Sequence, residues 1–96
     1  MLENKFQSNL IKKIKNRYEG CIVLKNDPTY IQGIPDLSIL HGDKWATLEC
    51  KKNDKAHKQP NQEYYVGKMD GMSFSSFISP ENEEEVLERL DRHFNK

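Results

Sequence analysis

The chain reads as an α/β domain, a small mixed β-sheet flanked by helices in the order α-β-β-β-α-β-α. Three observations predict this. Apolar residues recur at helical spacing near both ends of the chain, short runs rich in β-formers fill residues 21–25, 37–41 and 45–50, and a helix-period segment then separates these from one further apolar run. At 96 residues there is room for one domain, spanning 1–96.

Residues 2–18 are expected to form the first helix, because Phe6, Leu10, Ile14 and Tyr18 follow at steps of four among Lys12, Lys13, Lys15 and Arg17. Gly20 is a natural stop. Cys21 to Lys25 reads as the first strand, and Asn26-Asp27-Pro28-Thr29-Tyr30 carries turn chemistry that interrupts regular structure. Leu37–His41 and Trp45–Cys50 are the next two strands, joined by the tight turn His41-Gly42-Asp43-Lys44. Pro60, at or near a first helical position, opens a helix expected to run to about Asp70 and to end at Gly71. Met72 to Ser79 reads as a buried strand. Ser79-Pro80 is the expected cap of a last helix whose opening turns hold Glu81, Glu83 and Glu84 and whose stripe is Val86, Leu87, Leu90 and Phe94.

The hairpin carries the chemistry. With Gly42-Asp43 as its loop, Leu40 faces Trp45, Ser38 faces Thr47 and Asp36 faces Glu49, so two carboxylates meet on one surface with Lys51 beside them. The opposite face holds Leu37, Ile39, Ala46, Leu48 and Cys50, an apolar set fit for a core. Opposed carboxylates repel and need a partner. A hard divalent cation suits them, since Mg²⁺ takes oxygen ligands and binds through one or two carboxylates together with substrate phosphate. A lysine alongside supplies charge that orients a water or neutralises a developing phosphate charge. The set suits hydrolysis of a phosphodiester.

Two further polar residues are aimed inward by helix spacing. Glu3 lies on the stripe of Gln7, Leu10 and Ile14 that faces inward, although an acid in a first turn also complements the helix dipole. Gln62 shares one side of its helix with Tyr65, Val66 and Met69, which aims a polar group at the core edge; Gln59 is the alternative. After the hairpin, Lys52, Lys55 and Lys58 form a polar stretch that reads as a phosphate-contacting loop or a solvated one. Gly33 precedes the hairpin where backbone can approach a substrate.

Pro35-Asp36, a gap and Glu49-Cys50-Lys51 resemble the signature of the PD-(D/E)XK nuclease superfamily. With Gly33 before it and Gln62 after it, the pattern is most similar to the VRR-NUC branch, whose small stand-alone phage and bacterial members are related to Holliday-junction resolvases. The resemblance implies a restriction-endonuclease-like core and a metal-dependent endonuclease. Asp36, Glu49 and the backbone carbonyl of Cys50 would hold Mg²⁺ or Mn²⁺, Lys51 would activate the water, and Glu3 and Gln62 would complete the catalytic set. It also implies a homodimer acting on branched DNA such as four-way junctions. Linear duplex, flaps or single strands are the alternative substrates, and a binding module without activity, or an adaptor whose hairpin mimics the motif, are the alternative functions.

Composition narrows the setting. Fifteen basic and fifteen acidic side chains cancel, yet residues 1–58 hold eleven Lys or Arg against seven acids and residues 59–96 hold four against eight, so the first part is the expected nucleic-acid face. A 35% apolar content leaves a thin core that a dimer would help. Cys21 and Cys50 lie in apolar runs without metal-ligand spacing and read as buried thiols of a reducing compartment. No apolar run is long enough to span a bilayer, and no signal peptide is evident. The expected location is the cytoplasm, that of an infected host for a phage protein.

Overall fold

A computed structural model describes residues 3–96. Its elements are α1 (Glu3–Arg17), β1 (Ile22–Lys25), β2 (Leu37–His41), β3 (Lys44–Cys50), α2 (Pro60–Met72), β4 (Ser75–Ile78) and α3 (Glu83–Phe94). The strands form one sheet in the order β1-β2-β3-β4, antiparallel from β1 to β3, with β4 parallel to β3. The mixed sheet and the element order agree with the expectation. The expected start of the first helix at Leu2 lies outside the described residues.

The period-2 pattern of the hairpin decides the layers. Leu37, Ile39, Ala46, Leu48 and Cys50 point to one face and are fully buried there against Phe6, Leu10 and Ile14 of α1 and Val86, Leu87, Leu90 and Phe94 of α3. α1 and α3 are also tied directly: Arg17 makes two hydrogen bonds to Asp91, Tyr18 donates to the same carboxylate, and Lys13 pairs with Glu83. The Arg17 guanidinium holds the Asp91 carboxyl below its ordinary range. α2 covers the other face over β3 and β4, where Thr47 meets Met69 and donates to the Ser75 hydroxyl. The hairpin register is the expected one, with Leu40 opposite Trp45 and Ser38 opposite Thr47.

Several boundaries differ from the sequence reading: α1 ends at Arg17, β1 begins at Ile22 and β3 at Lys44, each one residue from the expected place, and three further differences have causes in the packing. α2 does not stop at Gly71 but runs to Met72, capped by the Ser73 N–H on the Met69 carbonyl, while the Ser73 hydroxyl donates to the Trp45 carbonyl and meets His93 Nε2 at 3.1 Å. Tertiary bonds at the helix end outweigh the cost of one exposed glycine, about 1 kcal/mol. β4 is correspondingly short. Ser79 does not cap α3: it is buried, its N–H donates to Asn82 Oδ1, and Asn82 is the residue that precedes the helix.

The segment between β1 and β2 is fastened where the site begins. Asn26 donates to the Pro35 carbonyl and to Ser38, its backbone N–H bonds the Asp36 carbonyl, and Asp27 accepts from Thr29. Gly33 lies at φ +90, and a Cβ there would stand 2.7 Å from the Asn61 carbonyl carbon of α2. Glycine is therefore required twice, by its dihedral and by the approach of α2. Gly33→Ala is expected to cost about 2–4 kcal/mol in urea unfolding. Gly42→Ala, at φ +63 in open space, should cost only about 1–2 kcal/mol. Equal losses at the two positions would contradict the close approach of α2.

Candidate active site

The hairpin ladder ends at Leu37↔Leu48, and one step beyond it stand Asp36 and Glu49. Asp36 leaves the strand and turns its side chain onto β3, where Oδ2 accepts the Cys50 N–H at 2.9 Å. The N–H and C=O of one residue point to the same side of an extended strand, so the Cys50 carbonyl also projects toward Asp36. Glu49 faces α2 and is only 3% exposed.

α2 supplies the group that organises the acids. Gln62 Nε2 donates to Glu49 Oε2 at 2.9 Å, and Gln62 Oε1 accepts from Lys51 Nζ at 2.7 Å and from the Gln59 N–H at 3.0 Å. Gln62 is thus the glutamine whose side chain enters the site, and Gln59 contributes a backbone donor. Lys51, 8% exposed, gives a second hydrogen bond to the His57 carbonyl at 3.0 Å and stands 4.0 Å from Glu49 Oε2. Its backbone N–H bonds the Ile78 carbonyl, which anchors the residue to β4.

This is an environment short of positive charge. Burial pushes the Glu49 carboxyl up to about 8, the Asp36 charge adds to the rise, and Lys51 offsets part of it. Burial also raises Asp36, opposed by the Cys50 N–H, with the charge of Glu3 adding to the rise. Glu3 therefore lies within electrostatic range of both carboxylates, from the exposed first turn of α1. It does not join them in a tight group: among the described residues no three His, Cys, Asp or Glu side chains are placed to hold one metal ion. The donors at hand are instead two carboxylates and the Cys50 carbonyl. Hard oxygen donors of net negative charge fit a divalent cation of the Mg²⁺ or Mn²⁺ kind.

The remaining expected residues fall around this centre. Lys52, Lys55 and Lys58 are exposed on the loop between β3 and α2, and Lys58 lies over the Phe77 ring at 4.8 Å. The loop is held by Asn53, which accepts from the Lys55 N–H, and by Glu81, which accepts from the Asp54 N–H. Gly33 opens into a cleft of about 350 Å³ shared with Pro28, Gln32, Gln59, Pro60, Asn61 and Gln62, so the cleft and the carboxylates have Gln62 as a common wall. A larger cleft, about 600 Å³, lies between α1 and α3. Ion-paired side chains line it and none of the site residues reach it. The His57 carbonyl and the Cys50 and Gln59 N–H groups are contributors that sequence reasoning missed. A backbone group leaves no mark in residue identity.

Comparison with protein-family models, curated proteins and solved structures finds no match for this chain.

The raised Glu49 pKa makes a signed prediction. A carboxyl whose folded pKa exceeds its unfolded value contributes stability that is present below about 4.5 and lost as pH rises toward about 8. In metal-free buffer, Glu49→Gln should therefore stabilise the protein at pH 8 by on the order of 2 kcal/mol and change it little at pH 4. Denaturant unfolding at both pH values checks this, and destabilisation at pH 8 would contradict the charge-deficient site.

Proposed function

We propose that the protein is a metal-dependent endonuclease that hydrolyses DNA phosphodiesters. The observation that carries the reading is the junction of Asp36, Glu49, Lys51 and Gln62 at one end of the sheet, a half-buried and a buried carboxylate with a buried lysine linked to Glu49 through a single amide. The PD-(D/E)XK-like sequence pattern, carried by the same residues, agrees with it.

In this reading Asp36, Glu49 and the Cys50 carbonyl would hold Mg²⁺ or Mn²⁺, which when bound would supply Lewis-acid stabilisation of phosphate charge and lower the pKa of a water. The protein's own part is positional. Gln62 fixes Glu49 with its amide N–H and Lys51 with its amide oxygen, so the acid and the cation keep one geometry. Lys51 spends two of its three N–H groups on Gln62 and His57. The third remains to orient the attacking water and to meet charge on the phosphate. Glu3, on the exposed first turn of α1, would assist through the water. As the P–O bond forms the water gives up a proton to solvent, the bond to the 3′ oxygen breaks, that oxygen takes up a proton from solvent, and a 5′ phosphate remains.

The exposed Lys52, Lys55 and Lys58 sit beside this centre and would add salt-dependent backbone contacts. The family resemblance implies branched DNA as substrate and a homodimer as the acting form.

The test is a gel cleavage assay with Mg²⁺ or Mn²⁺ on a four-way junction, a flap, linear duplex and single strand, with a chelator control. Metal-dependent cutting is expected, with the junction preferred. Lys51→Ala should retain DNA binding and lose about 10²–10⁴ in rate. No metal-dependent cleavage of any substrate, or wild-type rates in Lys51→Ala, would overturn the assignment.

A further inference from the structure

The sheet ends at β1, and among the described residues the outer edge of β1 pairs with no strand. On the face that carries α2, this edge presents Ile22 and Leu24, 55% and 45% exposed. Beside them is Leu40, 40% exposed and directly opposite Ile22 in the ladder. α2 packs over β3 and β4 and leaves these three residues bare. Unpaired backbone groups next to bare apolar side chains form a template for another strand.

We infer that the occupant is a second copy of this chain, joined β1 to β1 in antiparallel fashion about a two-fold axis through Val23. The inference supplies the contact surface of the homodimer proposed above and rests on that reading. Register selects the arrangement. An axis normal to the sheet keeps each face on its own side, so it passes through a residue and not between two. Centred on Val23, the Ile22 of each copy lies opposite the Leu24 of the other, and Val23 opposes Val23, so apolar groups meet at the three central positions. Centred on Leu24, Val23 would oppose Lys25 and Ile22 would oppose Asn26. Centred on Ile22, Leu24 would oppose Gly20.

Charge agrees with the same register. Glu19 precedes the strand and Lys25 ends it, and both are exposed. Antiparallel pairing sets the Lys25 of each copy opposite Cys21 of the other, at the end of the strand where the turn holding Glu19 leads in, so the cationic end of each strand meets the acidic end of its partner. A four-residue edge covers less than the roughly 800 Å² per partner of a standard interface, so the dimer depends on concentration. It also orients the sites. Asp36 and Glu49 lie one to two strands in from β1 and about three residues beyond the row of Val23, Ile39 and Ala46. From ordinary strand dimensions the two sites stand about 30 Å apart on one face of a continuous eight-stranded sheet. That spacing suits two phosphodiesters of one branched DNA.

Sedimentation velocity from micromolar to submillimolar protein, without DNA or metal, tests the inference. The wild type should shift from monomer to dimer. Leu24→Lys, a change at a half-exposed side chain, should weaken association at least tenfold with an unchanged circular dichroism spectrum. As a second measurement, Val23→Cys in a Cys21→Ser background should form a disulfide-linked dimer on oxidation, whereas Lys12→Cys in that background should not. A wild type that stays monomeric, a dimer that survives Leu24→Lys, or a dimer that fails to cross-link at Val23 would overturn it. Mass is read independently of cleavage. An inactive dimer joined at β1 overturns only the nuclease reading, and an active monomer overturns only the dimer.

Discussion

Two carboxylates held together inside a small protein are the constraint on which the rest of the structure depends. Left alone, Asp36 and Glu49 would separate or take up protons, because burial and mutual repulsion both disfavour their charged forms. The fold supplies three restraints. The Cys50 N–H fixes Asp36, the Gln62 amide fixes Glu49, and Lys51 brings a single positive charge to the pair. None of the three neutralises the site, and the cost of that imbalance is borne by the fully apolar face behind it.

The scaffold explains why so short a chain can sustain this. The turn at Gly42-Asp43 sets the hairpin register, and that register sends Leu37, Ile39, Ala46, Leu48 and Cys50 to the core while placing both acids at the ladder's open end. β4 runs parallel to β3 and receives the Lys51 N–H on Ile78, so the lysine backbone is anchored before its side chain turns toward the acids. α2 begins at the same end of the sheet, and the first turn of that helix holds Gln62. A glycine at 33 allows the preceding loop to close against that turn. Fold and site share the same few residues, which is why changes at Gly33 or Gln62 act on both.

Much of this was legible in the residues. Period-2 alternation around a Gly-Asp turn fixes which hairpin residues share a face, and the meeting of Asp36 with Glu49 follows by counting. The inward side of α2 likewise pointed to Gln62. Other features resisted the same reasoning. Gly71 resembles a helix stop, yet Ser73 is bound to Trp45 and α2 continues past the glycine. Ser79-Pro80 resembles a cap, yet Ser79 is buried beneath Asn82. Glu3 is near enough to influence the acids but stands on the exposed first turn, a distance that helical periodicity does not encode. Ile22 and Leu24 look like core residues in sequence, and only the reach of α2 shows that they are left bare.

Whether the carboxylate pair takes a divalent cation decides what the site can do. Calorimetric titration of Mn²⁺ into the metal-free protein at pH 7, in buffers of differing ionisation enthalpy, measures binding and proton release together. With the Glu49 carboxyl lifted to about 8, binding should expel about one proton per ion and should be lost in Asp36→Asn. Saturation without proton release, or binding that survives Asp36→Asn, would contradict the site described here.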